Sequence, residues 1–374
     1  MKLFNVYPLF NITPIKGKDV YIYDENNIEY LDLYGGHAVI SIGHSHPEYV
    51  ENINRQVSKL GFYSNSIQNP LQVELADKIA ELSGCDDYQL FLCNSGAEAN
   101  ENALKLASFH NNKKKVIAFK NGFHGRTSAA VAVTDNSKII APINAQQEVE
   151  LITFGNLGAV EQVLRNNDVC AVIIETIQGV GGLDESTAEF YQGLSKLCKT
   201  HDAILIADEV QSGFGRTGDF FAFQKHHIEP DIISMAKGMG NGFPIGGILI
   251  HSKIKASFGL LGTTFGGNHV ACVASLSVLK VLEDEALMDN VKVISKYVLD
   301  NVKNISKIKM IKGRGLMLGL EFDFPIAELR KTLIHKHRIF TGSSKNPNLL
   351  RILPPLTIQK KHMDVFFEAL KLEL

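Results

Sequence analysis

Lys237 stands where an amine could take part in covalent catalysis. It directly follows the apolar run DIISMA and precedes the glycine-rich segment GMGNGFPIGG. Glycines allow close backbone approach, so we expect this amine to be partly desolvated. Burial lowers the pKa of a lysine amine and favours the neutral form that makes a Schiff base with a carbonyl. Most lysines are solvated surface residues, but the position after a buried strand makes Lys237 a candidate nucleophile.

An acidic residue follows a second apolar run. Asp208 comes directly after AILIA and is followed by Glu209, Val210 and Gln211. A carboxylate at the end of a buried strand is costly unless it is paired, so we expect Asp208 to face a cation or a protonated ring nitrogen. Taken alone, these residues fit a metal ligand or a simple cap at the strand end equally well.

Two further loops carry candidate binding residues. Ser95, Gly96 and Ala97 follow the run YQLFLC at a predicted helix start, where free N–H groups and the helix dipole suit a phosphate. The alternative is an ordinary helix start, with Ser95 as N-cap and a glutamate three residues later. After KVIAFK, Phe123 could cover a flat ring and Arg126 could bind a carboxylate. The alternative for this second loop is that neither side chain binds a ligand, so that Phe123 packs in the core and Arg126 lies on the surface.

Other patterns raise or exclude further kinds of site. The segment GFGRTG (213–218) matches the glycine pattern of dinucleotide-binding loops and raises a nicotinamide-dependent oxidoreductase as the alternative from another class. The aromatic-rich DFFAF follows instead of a helix start, and no acidic residue closes a second strand about 20 residues later. Histidines occur close together at 44 and 46, 226 and 227, and 335 and 337. They lack acidic or cysteine partners at ligand spacing, so we predict no metal site.

The order of apolar patterns predicts an α/β fold. Residues 19–36 read as a β-hairpin, and residues 47–110 are mainly helical around one buried strand. Apolar runs that then alternate with helices predict a mostly parallel sheet covered on both faces. After Gly266 come a long helical segment, short strands and a closing helix from Met363. We predict an N-terminal segment (1–50) that joins the small domain, a large domain (51–265) and a C-terminal small α+β domain (266–374).

Composition narrows the class of protein. The chain has 374 residues, 45% hydrophobic and 21% charged, which is typical of a folded globular protein. A net charge of −2 gives no support for nucleic-acid binding, and five widely spaced cysteines suggest neither a zinc ribbon nor a disulfide framework. The N-terminus lacks a secretory pattern, and no apolar run approaches the roughly 18 residues of a membrane span. We therefore expect a cytoplasmic protein without a membrane segment.

Taken together, the motifs resemble the class III aminotransferases, which are pyridoxal-5′-phosphate enzymes of fold type I. The nearest resemblance is to the acetylornithine and succinylornithine aminotransferase branch. The matching strings occur in the family's order and cover most of the chain. They are GHSHP (43–47), NSGAEANENALKLA (94–107), GFHGRTSAA (122–130), ETIQG (175–179), ADEVQSGFGRTG (207–218), MAKGMGNGFPIGG (235–247), TTFGGNHVACVA (263–274) and RILPPL (351–356).

The resemblance implies a role for each candidate. Lys237 would bond covalently to pyridoxal phosphate and move the proton, and Asp208 would pair with the ring nitrogen. Further contacts to the cofactor would come from Ser95, Gly96, Ala97, Phe123, Glu209, Val210, Gln211 and, from the neighbouring subunit of a homodimer, Thr264. Substrate carboxylates would be bound by Arg126 and Arg351, with Thr263 nearby.

The implied reaction moves the δ-amino group of N²-acetylornithine to 2-oxoglutarate, giving N-acetylglutamate 5-semialdehyde and glutamate in arginine biosynthesis. N²-succinylornithine, ornithine and 4-aminobutyrate are the alternative donors. A non-catalytic relative is disfavoured because Lys237, Asp208, Arg126 and Thr264 are all present.

Two positions depart from the family pattern. Val180 stands where the family usually has a glutamate, which in relatives can pair with the arginine that corresponds to Arg351. Because valine cannot do this, we expect Arg351 to stay free for a carboxylate. His37 stands where the family usually has an apolar residue near the substrate, and we interpret it as a structural imidazole.

Overall fold

The first strands form a small antiparallel sheet in a computed structural model that describes residues 1, 3–303 and 305–374. They are β1 (Pro14–Lys18), β2 (Tyr21–Asp24) and β3 (Glu29–Asp32). The carboxylate of Asp24 accepts the N–H groups of Asn26 and Ile28, both at 2.9 Å, and so closes the turn between β2 and β3. The predicted hairpin is confirmed.

Three helices follow, and the starts of the second and third agree with the helical stretch predicted for residues 47–110. They are α1 (Gly35–Ala38), α2 (Pro47–Lys59) and α3 (Pro70–Ser83). Proline suits the first position of α2 and α3, because the N–H that it lacks would have no acceptor within the helix. The short α1 is irregular, since His37 has a φ of 70°.

A seven-stranded sheet lies at the centre of the fold. Its strands are β4 (Tyr88–Cys93), β5 (Lys115–Phe119), β6 (Val149–Ile152), β7 (Val169–Glu175), β8 (Ile204–Asp208), β9 (Ile232–Met235) and β10 (Gly246–His251). The order is β4-β10-β9-β8-β7-β5-β6, and only the pairs that involve β10 are antiparallel. The accompanying helices are α4 (Gly96–Asn111), α5 (Ser128–Ala132), α6 (Leu157–Leu164) and α7 (Ala188–Thr200).

Alternating strand residues pack on opposite faces of this sheet. Ile173 and Ile206 belong to a cluster that includes residues of α4, whereas Ile174 and Leu205 belong to a second cluster with residues of α7. Both faces are therefore covered by helices. The predicted α/β fold with a mostly parallel sheet is confirmed.

The parallel register brings the candidate residues to one edge of the sheet. Glu175 ends β7 and is paired in register with Asp208 at the end of β8, which in turn is paired with Ser234 of β9. Lys237 follows two residues after the end of β9. The carboxyl ends of neighbouring parallel strands thus deliver two carboxylates and an amine to the same place.

The last third of the chain adds a second antiparallel sheet with helices. The elements are α8 (His269–Asp284), α9 (Leu287–Val302), β11 (Ile308–Arg314), β12 (Met317–Phe322), α10 (Ala327–His335), β13 (Ile339–Phe340), β14 (Gly342–Ser343), β15 (Leu349–Ile352) and α11 (Lys360–Glu373). Strands β11, β12, β15 and β14 form this sheet, but β13 pairs with β3 in parallel. The N-terminal sheet is thus completed by a strand from the C-terminal third. The domain boundaries after residues 50 and 265 stay a prediction.

The GFGRTG segment serves to join parts of the chain. Arg216 is buried, and its guanidinium donates to the carbonyls of Ile40, Leu316 and Pro354. The segment runs through turns into a 3-10 helix (Ala222–His226), and no helix of the dinucleotide-binding type begins there. This geometry offers no phosphate cradle to a dinucleotide.

Two structural findings concern membrane-spanning helices and metal sites. No helix among residues 1, 3–303 and 305–374 is long and apolar enough to cross a membrane. Within the same residues, no three His, Cys, Asp or Glu side chains are grouped so that they could hold a metal ion.

Candidate active site

Lys237 lies in a strained and largely enclosed position. Its φ of 48° is in the left-handed region, which is uncommon for residues other than glycine. Burial lowers the pKa of its amine, although the negative charges of Asp208 and Glu175 oppose this shift. The amine makes no hydrogen bond or ion pair with any residue that the structure describes. Lys237 therefore has the properties that a nucleophilic or proton-transferring amine requires.

Asp208 is held by two donors on one of its oxygens. The side chain is buried, and its Oδ2 accepts from His124 Nδ1 and Asn100 Nδ2, both at 2.7 Å. Its Oδ1 accepts only the N–H of Val210, at 3.1 Å. Burial opposes protonation of His124, but the hydrogen bond and charge of Asp208 outweigh it and raise the His124 pKa. The Asp208 oxygen that accepts a single N–H group suits a protonated ring nitrogen.

Glu175 is a buried carboxylate that the sequence reasoning left without a role. Its Oε1 accepts the N–H of Phe123 and its Oε2 accepts the N–H of Gly179, both at 2.9 Å. Burial, reinforced by the charge of Asp208, raises the pKa of Glu175 to about 7. This side chain fixes the loop that carries Phe123 relative to the loop after β7.

The start of α4 combines a helix cap with free N–H groups. Ser95 Oγ accepts the N–H of Glu98 at 3.2 Å, as the N-cap alternative predicted. The N–H groups of Gly96 and Ala97 belong to the first turn and have no acceptor within the helix. A Cβ at Gly96 would lie 2.5 Å from Val210 Cγ1, so only glycine leaves room for Val210 here. The structure thus brings the predicted phosphate turn against Val210, two residues after Asp208.

Gln211 presents an open acceptor. Its Nε2 donates to the carbonyl of His37 at 3.1 Å, whereas its Oε1 is buried without a donor among the described residues. A buried acceptor without a partner costs free energy unless a ligand supplies the donor. A ring hydroxyl is a donor of this kind.

Arg351 has a buried guanidinium that contacts the backbone carbonyl of Gly179. Nε donates to Ser343 O at 2.5 Å, Nη1 to Gly179 O at 2.9 Å, and Nη2 to the Tyr34 hydroxyl at 3.4 Å. The acceptors that it finds within the described chain are thus all uncharged. Burial lowers the pKa of Arg351. A guanidinium has five N–H groups, so two of them, one on each terminal nitrogen, are left for a carboxylate.

The remaining predicted residues are placed differently. Glu209 is fully buried, and its carboxylate accepts from Thr176, Ser212 and the backbone N–H groups of residues 222 and 223. Both oxygens of Glu209 are thus occupied by protein donors that hold this loop, and its predicted cofactor contact stays a prediction.

Arg126, Thr263 and Thr264 lie at the periphery of the chain. Arg126 and Thr264 are exposed, and Thr263 is partly buried with its Oγ1 accepting the N–H of Gly266 at 3.0 Å. The single chain does not bring these three side chains into hydrogen bonds with Lys237 or Asp208. Their predicted roles stay predictions.

Comparison with known proteins agrees with this geometry. The family model described as aminotransferase class-III matches residues 5–374. The chain is 39% identical to the acetylornithine aminotransferase of Aquifex aeolicus (strain VF5), covering 99% of this chain and 98% of that protein. It is 36% identical to the acetylornithine aminotransferase of Bacillus subtilis (strain 168), covering 99% and 96%. The crystal structure of the ornithine aminotransferase from Toxoplasma gondii ME49 superposes with a TM-score of 0.91 at 29% identity, covering 98% and 93%.

Proposed function

The chain belongs to the class-III aminotransferase family, and on that premise we propose that it transfers the δ-amino group of N²-acetylornithine to 2-oxoglutarate. The products are N-acetylglutamate 5-semialdehyde and glutamate, and the reaction is a step of arginine biosynthesis in the cytoplasm. The acetylornithine aminotransferases that match nearly the full chain support this donor. Family membership leaves the nicotinamide-dependent alternative without support.

The cleft fits pyridoxal phosphate. The open acceptor of Gln211, the free N–H groups of Gly96 and Ala97, and the under-used oxygen of Asp208 each match a different polar group of that cofactor. Lys237 would hold its aldehyde carbon, and Phe123 and Val210 would contact its ring faces. When bound, the cofactor supplies an electron-poor ring that takes up the electrons released as the substrate C–H bond breaks.

The observation that carries the chemistry is the largely buried amine of Lys237, unpaired in the described chain, next to the ends of β7 and β8. Its lowered pKa favours the neutral amine, whose Nζ can accept the proton released by the substrate carbon and hold it until it is returned within the same half-reaction. Asp208 accepts from His124 with one oxygen, and its other oxygen would face a protonated ring nitrogen. The protein thereby supplies orientation, a proton carrier and a fixed charge.

The carboxylates of the two substrates need two cationic sites. Arg351 offers two free N–H groups in a buried setting, and Arg126 is an exposed guanidinium in the Phe123 loop. We assign the carboxylate next to the reacting carbon of glutamate to Arg351. We assign the distal carboxylate of glutamate and the α-carboxylate of the acylornithine to Arg126, with Thr263 nearby.

A second copy of the chain is part of the proposal. Helix α2 has no buried residue in the single chain, and its apolar Val50 and Val57 are exposed. Phe62, Tyr63 and Phe265 are exposed as well. Exposed apolar surface of this extent is typical of an interface. We infer a homodimer in which Thr264 of each chain binds the phosphate held by the other.

Steady-state kinetics test the donor. We expect kcat/KM with 2-oxoglutarate to be higher for N²-acetylornithine than for N²-succinylornithine, ornithine or 4-aminobutyrate. Equal or better use of 4-aminobutyrate would refute the role in arginine biosynthesis. Borohydride should fix the yellow cofactor to Lys237, and a colourless protein that binds a dinucleotide would instead favour an oxidoreductase.

Hybrid dimers test the shared site. Chains with Lys237→Ala and chains with Thr264→Ala are mixed after unfolding and refolded together. If Thr264 acts across the interface, one site of each hybrid has both native residues, and activity exceeds that of either parent. If Thr264 acts within its own chain, no site is restored and activity stays at the parental level.

A further inference from the structure

Tyr34 and His37 form a hydrogen-bonded pair against Arg351. The Tyr34 hydroxyl lies 2.5 Å from His37 Nδ1, and Arg351 Nη2 donates to the same hydroxyl at 3.4 Å. The Arg351 guanidinium also lies over the Tyr34 ring, 5.7 Å from its centroid. The backbone carbonyl of His37 accepts from Gln211, so this histidine is tied to the cofactor cleft as well.

The directions of these hydrogen bonds define the histidine tautomer. Arg351 can only donate, so the Tyr34 oxygen accepts from it, and the Tyr34 proton remains available for His37 Nδ1, which at 2.5 Å is nearer than Nε2 at 3.4 Å. A neutral imidazole whose Nδ1 accepts must carry its own proton on Nε2. In this arrangement His37 is an Nε2–H donor, and Tyr34 connects it to Arg351.

The surrounding charges keep this imidazole neutral. Burial, followed by the positive charges of Arg351, Lys237 and Arg330, lowers the pKa of His37. A neutral donor binds a carboxylate without trapping it as a buried ion pair. The His37 carbonyl accepts from Gln211, three residues after Asp208, which places the pair on the side of the proposed reacting centre.

We propose that Tyr34 and His37 are specificity-determining residues for the glutamate and 2-oxoglutarate half-reaction, with His37 Nε2–H as a third donor to the carboxylate held by Arg351. This inference rests on the proposed function. The reacting carbon of glutamate carries a carboxylate, whereas that of an N-acylornithine carries only hydrogens. Val180 provides no carboxylate to cover Arg351 between the two half-reactions, and the uncharged Tyr34 hydroxyl occupies one of its N–H groups instead.

The test uses three variants of the holoenzyme and one control. Tyr34→Phe removes the proton that fixes the tautomer, His37→Leu removes the donor, and His37→Asn keeps a donor in a residue that tolerates the left-handed φ of 70°. Tyr23→Phe is the matched control, because the Tyr23 hydroxyl donates to Glu29 on the exposed surface. The probe is glutarate, a dicarboxylate that cannot react, and its Kd is measured by calorimetry.

We expect Tyr34→Phe and His37→Leu to weaken glutarate binding about tenfold, with His37→Asn in between and Tyr23→Phe unchanged. Single-turnover rates should show a similar loss with glutamate and a change of less than about twofold with the acylornithine. An unchanged glutarate Kd in Tyr34→Phe, or an equal loss in both half-reactions, would overturn the proposal. Normal glutarate binding by a wild-type enzyme that rejects acylornithines would refute only the proposed donor.

Discussion

His124 and Asp208 form a buried ion pair, with 2.7 Å between Nδ1 and Oδ2 and only 1% and 4% of the two side chains exposed. Asn100 donates to the same oxygen, so the second oxygen of Asp208 stays available on the cofactor side of the network. A charge-assisted bond in a dry setting is among the stronger hydrogen bonds in proteins. The pair therefore determines how firmly the negative charge of Asp208 is fixed.

Replacing His124 tests this relationship. His124→Leu should weaken pyridoxal phosphate binding by about tenfold or more, because a charged hydrogen bond contributes roughly 1.5–3 kcal/mol. His124→Asn should lose less, since its amide can still donate. Fluorescence titration of the cofactor-free protein measures both constants. The exposed His110→Asn serves as control, and wild-type affinity in His124→Leu would contradict the assigned role.

Replacing Lys237 tests the proposed nucleophile. Lys237→Ala should lower transamination by at least about 10³-fold, since no other amine can carry the proton. Folding should persist, because Lys237 makes no bond with the described residues and relief of a buried charge offsets lost packing. Activity and thermal unfolding are measured beside Lys225→Ala, which alters an exposed lysine. Residual turnover near the wild-type rate would show that another group carries the proton.

Glu175 predicts a pH dependence of stability. Its folded pKa of about 7 lies above the ordinary value of 4.5, so the folded state binds this proton more tightly than the unfolded state. The resulting stabilisation is fully present below about pH 4.5 and is lost as pH rises through about 7. Glu175→Gln removes this ionisation. From pH 5.5 to 8.5, urea unfolding should show a steeper loss of stability in wild type than in the variant, and parallel curves would contradict the assignment.

Gly96 and Val210 should be energetically coupled. Gly96→Ala places a methyl group 2.5 Å from Val210 Cγ1 and should destabilise the fold by about 1–3 kcal/mol. Val210→Ala removes that atom, so the double variant should lose less than the sum of the two single changes. Unfolding free energies of the three variants measure the coupling. Strict additivity would show that the two positions do not share this space.

The sequence predicted the elements whose local signals are strong. Prolines marked the starts of α2 and α3, and apolar runs gave the central strands with Asp208 and Lys237 at their ends. The short strands β13 and β14 were not predicted, because two residues carry no periodicity and their pairing depends on distant partners. The antiparallel direction of β10 likewise follows from topology rather than from its own residues.

Sequence reasoning did not find the residues that support the site, and the predicted cofactor contacts stay predictions. Glu175, like Asp208, is a carboxylate at the end of a buried strand. The pattern that indicated Asp208 could therefore have indicated Glu175 as well. His124 lies in the motif GFHGRTSAA (122–130), but its sequence position does not show that the fold brings it to Asp208, 84 residues away. Glu209 was grouped with its neighbours by sequence position, whereas its buried carboxylate serves a loop.

The carboxylate pocket is assembled from opposite ends of the polypeptide, since Tyr34 and Arg351 are 317 residues apart. During synthesis, the amine and the ring-binding residues emerge from the ribosome long before Arg351 and the strand β13 that completes the N-terminal sheet. A nascent or prematurely terminated chain can thus present Lys237 while it still lacks the means to select an amino acid. The site proposed to select the substrate is therefore completed last, when Arg351 packs against Tyr34.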